Sequence, residues 1–241
     1  MAVQKKLHIV MVTTHPPSAG SLNEYAYYFI RSLHQKAQLS HLSLLVDELP
    51  EGEQYPRLEN TTFIPCWEFD NWWNSWRIWR TILRLRPDAV LFNLQFASFG
   101  RVKIPAALGL FAPLMSRLSK IPTVVLLHNL VETVDLKSAG FSQNRWVQQV
   151  LRGIGTVLTK IVLSADLVAV TIPKYVEILE EKYKATNVML APHGAFEEFT
   201  PPLSNDAASD PSGQLPRTQI MTFGKFGTYK RIEILIEAFH Q

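Results

Sequence analysis

Leu7-His-Ile-Val-Met-Val-Thr-Thr-His-Pro-Pro-Ser-Ala-Gly-Ser21 is an apolar run that stops at a histidine and two prolines, then turns through a glycine into a helical pattern. The run reads as a buried strand. Ser21–Leu33 reads as the helix that follows, with Ser21 placed to cap it and Glu24 at the capping-box spacing. The same alternation repeats outward along the chain. His41–Val46 and Thr61–Pro65 are predicted strands, Trp72–Leu85 a helix, Asp88–Asn93 a strand and Lys103–Ser119 a helix. Thr123–His128, Asp166–Thr171 and Asn187–Leu190 are further strands, separated by helices over Asn144–Ser164 and Tyr175–Tyr183. Near-continuous Val, Ile and Leu runs between helices predict a parallel sheet buried on both sides. The expected fold class is α/β, a Rossmann-like parallel sheet with helices on both faces.

A composition shift marks a boundary. Residues 200–217 hold Pro201, Pro202, Pro211 and Pro216 among Ser, Asn, Asp and Gly, and read as a linker or surface loop. Residues 1–199 form the first expected domain. Residues 218–241 read as a strand, a glycine loop with two lysines and a helix, the opening of a second Rossmann-like domain that is expected to be truncated at Gln241.

Composition narrows the function classes. Hydrophobic residues make up 47% and charged residues 19%, which is globular. A formal charge of +3 gives no reason to expect nucleic acid as a partner. The single cysteine, Cys66, cannot form an internal disulfide and suits a reducing compartment. The basic N-terminus leads into a strand pattern with His8 and His15-Pro16-Pro17, not a secretory signal. The most apolar stretch, Ile104 to Met115, falls short of the ~20 residues of a membrane span.

Parallel sheets bind ligands at the carboxyl ends of their strands. The first strand ends at Gly20 and Ser21 before a helix, where the backbone can approach an anion; the alternative is an ordinary strand-to-helix turn. His128-Asn129 closes another strand, and His128 either bonds a sugar hydroxyl and stabilises charge at a reacting carbon or is a satisfied strand-end histidine. His193-Gly194 follows the last short strand and shapes a turn. Gly224 then allows a sharp turn, and Lys225 and Lys230 flank a helix start where two cations can hold a diphosphate; the alternative is two solvated lysines.

In this order, Pro17–Ser21, His128, His193-Gly194 and Gly224-Lys225…Lys230 with the Ile236–Phe239 helix resemble the family 4 glycosyltransferases of the GT-B fold. That resemblance implies an N-terminal acceptor-side domain followed by a donor-binding domain. It further implies sugar transfer from a nucleotide-sugar co-substrate to a glycan or lipid-linked acceptor, with retained configuration, no metal and no other cofactor. In that picture Lys225 and Lys230 stabilise the leaving diphosphate, Gly224 makes their loop, and His128 is catalytic beside the reacting sugar. Gly20 lets the backbone approach the donor phosphate or the acceptor, with Ser21 beside it. The chain departs from the family pattern at Ser21, where a second glycine is usual, at Asn129, where an acid is frequent, and at Lys225, which replaces an arginine and loses its bidentate fork.

Residues 71–86 add a helix rich in tryptophan and arginine. Trp72, Trp76 and Trp79 share one side and Arg77, Arg80 and Arg84 line another. Such a helix either lies on an anionic membrane surface or packs on the sheet with its arginines in water. The expected location is cytoplasmic, peripheral on the membrane face. Two other classes stay open: a non-catalytic module binding a glycan or a membrane, or an acceptor-side subunit paired with a separate donor-binding chain; and a GT-B epimerase.

Overall fold

The apolar runs pair in parallel throughout. In the computed structural model, which describes residues 6–130, 145–194 and 232–240, the strands are β1 (Leu7–Val12), β2 (Leu39–Asp47), β3 (Thr61–Trp67), β4 (Ala89–Leu94), β5 (Thr123–Leu127), β6 (Leu167–Val170) and β7 (Val188–Leu190). They form one parallel sheet in the order β3-β2-β1-β4-β5-β6-β7. Strand order reverses at β1, the Rossmann-like arrangement, which places a crevice between the carboxyl ends of β1 and β4. Register is continuous across that point: Val12 pairs with Leu45 and Phe92, and Leu94 with Leu127.

Side chains alternate across a strand, so each strand feeds two cores. Val10, Val12, Val90, Phe92 and Leu94 face Ile78 and Ile82 of α2 (Asn74–Leu85), with α4 (Ala112–Leu118) and α6 (Pro173–Tyr183) contributing to the same cluster. Met11, Leu42, Leu44 and Val46 face Ala26 and Ile30 of α1 (Asn23–His34) on the other side. Helices therefore cover both faces, as the apolar strands require. No helix joins β2 to β3. Tyr55 and Leu58 from the connecting loop pack on the second cluster in its place.

Two local expectations are corrected. Ser21 does not cap α1: Leu22 occupies that position without a side-chain bond, and the Ser21 hydroxyl instead accepts a hydrogen bond from Gln95 Nε2. The helix expected over Lys103–Ser119 is two, α3 (Lys103–Gly109) and α4, because Pro113 in the first turn of α4 has no N–H to continue a single ladder. Close packing also needs Gly109, where an added Cβ would stand 2.3 Å from the Phe99 ring.

The tryptophan helix divides differently from its predicted stripes. It begins at Asn74, whose buried amide donates to Glu68 O at 2.7 Å and accepts from Glu68 N at 3.2 Å. Of the residues expected on a membrane, Trp79 is drawn inward by a 2.8 Å bond from its indole N–H to Ser119 Oγ. Arg77 is committed to Glu68 at 2.6 Å and to Glu48, and it holds the Glu68 carboxyl below its usual range. Trp72, Trp76, Arg80 and Arg84 are exposed.

The chain divides into two compact units, Met1–Val134 with Asn144–Pro192, and Asp135–Gln143 with His193–Gln241. The first carries α1 to α6, including α5 (Arg145–Val162), and the whole sheet. In the second, α7 (Ile232–His240) exposes Ile234, Ile236 and Phe239. The linker expected at 200–217 and the strand and glycine loop that follow it lie outside the described residues. Among the described residues no helix is long and apolar enough to cross a membrane.

Removing the Asn74 amide leaves the half-buried Glu68 N–H without its partner and Glu68 O with only the 3.4 Å bond from Asn71 N. Asn74→Ala is expected to lower the unfolding free energy by about 1–3 kcal/mol in urea titration, and an unchanged midpoint would show that the Glu68 backbone finds water instead.

Candidate functional site

A burial constraint gathers the polar side chains at one end. The central strands are mostly apolar along their length, His8 and Ser43 bonding each other within them, and a further set of polar groups comes where β1, β4 and β5 run out. Thr13 follows β1, Asn93 is the penultimate residue of β4, and His128 follows β5. The His128 backbone N–H donates to Leu94 O at 2.9 Å, extending the ladder by one residue and fixing where the imidazole starts.

The three side chains form a directed chain. The Thr13 hydroxyl donates to Thr14 O at 2.9 Å, so its oxygen is left to accept. Asn93 Nδ2 donates to that oxygen at 3.0 Å, which turns Asn93 Oδ1 towards His128 Nε2, 2.6 Å away. Oδ1 can only accept, so Nε2 carries the proton and the neutral ring is basic at Nδ1. Tyr25 from α1 packs edge-on against the ring, with centroids 4.5 Å apart. Asn129, beside it, accepts from Phe96 N at 3.0 Å and ties the β4 and β5 ends together.

The turn after β1 is built from the inside. Ser18 Oγ donates to buried Asp47 at 2.7 Å and accepts from Gly20 N at 3.1 Å. Tyr55 OH donates to Asp47 O at 2.9 Å. Burial raises the Asp47 carboxyl, and the Ser18 and Tyr55 bonds only partly oppose this. Gly20 is needed for packing: a Cβ there would lie 2.3 Å from Thr14 Cγ2. At Gly194 an added Cβ meets nothing within 4 Å, so sterics make no demand for glycine. Gly224, Lys225 and Lys230 lie outside the described residues. Asn93, Asp47 and Tyr55 were not singled out by sequence; Asn93 sits inside an apolar strand run, and its polarity there was the available signal.

Between the ends of β1 and β4, Thr13, Thr14, Ser21, Asn93 and Ser98 line a cavity of about 10 Å³, room for roughly one water. A broader groove of about 820 Å³ follows edge strand β3, lined by Glu53, Tyr55, Arg57 and Phe63. It is four strand spacings, about 19 Å, from β5, so one small ligand cannot touch both the groove and His128. Buried at this end of the sheet without partners are Thr14 Oγ1, His15 Nε2 and Thr171 Oγ1. Among the described residues no group of three or more His, Cys, Asp or Glu is placed to hold a metal ion.

No family model and no curated protein matches this sequence. Solved structures do match in fold. The UGT2 of Phytolacca americana without ligand is 13% identical, with a TM-score of 0.48 over 78% of this chain and 52% of that one. The same enzyme with UDP-2fluoro-glucose and pterostilbene is 14% identical at the same TM-score and coverage. A UDP-glucosyltransferase of Polygonum tinctorium capable of glucosylating indoxyl is 13% identical, with a TM-score of 0.45 over 80% of this chain and 53% of its own. The chain thus spans about half the length of the structures it matches. Its own fold is a Rossmann-like parallel sheet with flanking helices. Two expectations are corrected. The matched chains are plant UDP-glycosyltransferases and not family 4 enzymes, so the family 4 assignment is withdrawn. Retention of configuration goes with it, because those enzymes invert.

The directed chain makes a spectroscopic prediction. Long-range proton–nitrogen NMR correlations are expected to show neutral His128 protonated at Nε2, and Asn93→Asp should raise the ring's pKa by placing a carboxylate against that proton. An Nδ1–H tautomer would overturn the assignment.

His15 makes a second. Burial pushes its imidazole below the ordinary value, and the 2.7 Å bond to Pro16 O opposes this only partly. The fold therefore favours the neutral ring. That contribution is complete above about pH 6.5 and is lost as pH falls through the lowered folded value. His8 shifts the same way, chiefly through burial. The urea midpoint should fall on acidification through this window, and His15→Asn, which keeps a donor for Pro16 O, should flatten the slope; a slope unchanged in that variant would assign the loss elsewhere.

Proposed function

We propose that this chain is the acceptor-side half of a glycosyltransferase that moves a sugar from a nucleotide-sugar to a hydroxyl of a glycan or lipid-linked acceptor, working in the cytoplasm. The observation that carries this reading is the Thr13–Asn93–His128 chain, which orients one imidazole at the carboxyl end of the central strands. In the reaction the acceptor oxygen bonds to the anomeric carbon, and the bond from that carbon to the diphosphate oxygen breaks. The nucleoside diphosphate leaves with the electron pair, and the His128 imidazole takes the acceptor proton. Lys225 and Lys230, beside Gly224, neutralise the diphosphate. Gly20 and Ser21 shape the floor after β1. The donor is a co-substrate, and neither a metal nor another cofactor takes part.

A second reading is a non-catalytic glycan-binding module. Its support is that the crevice between β1 and β4 has room for about one water, whereas the groove of about 820 Å³ along β3, lined by Tyr55, Arg57 and Phe63, is wide enough for a glycan and lies away from His128.

In the longest form of the protein that turns over, His128→Ala is expected to cut transfer by about 100-fold or more, and Lys225→Ala with Lys230→Ala to remove most of the rest; unchanged rates would dismiss these roles. Isothermal titration of this chain with UDP and other nucleoside diphosphates separates the readings. Binding lost in Lys230→Ala supports transfer, whereas glycan binding with no response to any nucleotide supports the module.

A further inference from the structure

Above the carboxyl ends of β3 and β4, Trp73 is 70% exposed and Trp72 58%, beside Phe69 and Trp76, with Val102 and Ile104 also exposed. These side chains sit on braced segments. Asp70 N donates to Phe99 O at 2.8 Å, and Val102 N donates to Asp70 Oδ1 at 2.7 Å, so residues 69–73 and 100–104 run side by side. One turn on, Ser75 Oγ donates to Gly109 O at 3.1 Å and holds α2 against α3. The apolar surface is therefore preformed.

Its charge is predominantly positive. Arg101 and Lys103 alternate with Val102 and Ile104, and all four are exposed. Arg80 lies over the Trp76 ring at 5.0 Å. From Asn71 to Val131 the sequence has eight lysines and arginines and one carboxylate, Asp88. Asp88 stands at the start of β4, the opposite end of the strand, where it accepts from His8 N at 2.9 Å. The nearby acids are Glu48 and Glu68, which share Arg77, and Asp70, which accepts from Val102 N; Arg80, Arg84, Arg101 and Lys103 outnumber the charge they leave.

We propose that this patch, centred on Trp72, Trp73, Val102 and Ile104 with Arg80 and Arg101 around it, binds an anionic lipid surface. Indole rings settle at the boundary between headgroups and acyl chains, and the stems of Arg and Lys lie along apolar surface while their heads reach lipid phosphate. A protein partner fits less well, because the centres of such interfaces are depleted of charge, whereas here Arg101 and Lys103 interrupt the apolar Val102 and Ile104. The patch lies at the same end of the sheet as His128. It extends the transfer reading by giving the acceptor a lipid carrier. Vesicle binding needs no sugar donor, so the two readings can fail separately.

Vesicle flotation of the whole chain tests this with phosphatidylcholine alone and with phosphatidylcholine mixed with phosphatidylglycerol. Binding is expected only to the mixed vesicles and should weaken with salt. Arg101→Gln should reduce affinity about 5-fold, the effect of roughly 1 kcal/mol for one cation near the surface, and Trp72→Ser with Trp73→Ser should abolish flotation while leaving the circular dichroism unchanged. No flotation, or equal flotation on both vesicle types, overturns the proposal. So does sedimentation showing self-association that depends on Trp72 and Trp73, which would make the patch a contact between copies.

Discussion

Parallel strand pairing imposes the organisation of this protein. A parallel sheet cannot turn directly back on itself, so each strand must be followed by a crossover, and the crossovers cover both faces. Once both faces are dry, side chains that need water or hydrogen bonds are pushed to the strand ends. Thr13, Asn93 and His128 occupy those ends on β1, β4 and β5, and the orientation of each fixes that of the next. The Thr13 hydroxyl spends its proton on Thr14 O, the Asn93 amide must therefore donate to it, and the imidazole faces a carbonyl oxygen. A backbone carbonyl at the end of β1 thus determines the tautomer of a histidine two strands away.

The same end of the sheet carries unmet polarity. Thr14, His15 and Thr171 each bury an atom without a partner, and each such atom costs about 1–3 kcal/mol relative to a bonded one. Nothing comparable is found along the strand interiors among the described residues. Asp47, the last residue of β2, is also buried at this end, but it is bonded by Ser18 and Tyr55 and still shifted by burial. Cys66, further along β3, behaves as a small apolar side chain: burial pushes its thiol up to about 12, so it is unreactive at neutral pH.

Helix α2 serves two surfaces. Its line of Asn74, Ile78 and Ile82 is buried and locks the helix on the first core. The tryptophans before and at its first turn are turned outward by the Asn74–Glu68 and Asp70–Val102 bonds. One amphipathic pattern therefore separates into a packing stripe and an exposed aromatic rim, and the rim is held by contacts distant in sequence.

The sequence by itself determined the class of fold: runs such as Leu7–Val12 and Thr123–Leu127 are too continuously apolar for anything but strands buried on both sides, and their alternation with helices leaves few arrangements other than a parallel sheet. It also marked His128, because a histidine ending such a run stands at the rim. Local pattern could not show that Asn93 would orient that histidine, or that Gly20 makes room for Thr14, because both depend on which strands become neighbours. Nor could periodicity separate Trp79 and Arg77 from Trp72 and Trp73: all are amphipathic residues on one helix pattern, and only the position of Ser119, Glu48 and Glu68 in space decides which are drawn inward. Hydrophobic patterning acts along the chain and sets the layers, whereas hydrogen-bond direction and ion pairing act across it and are decided when the layers meet.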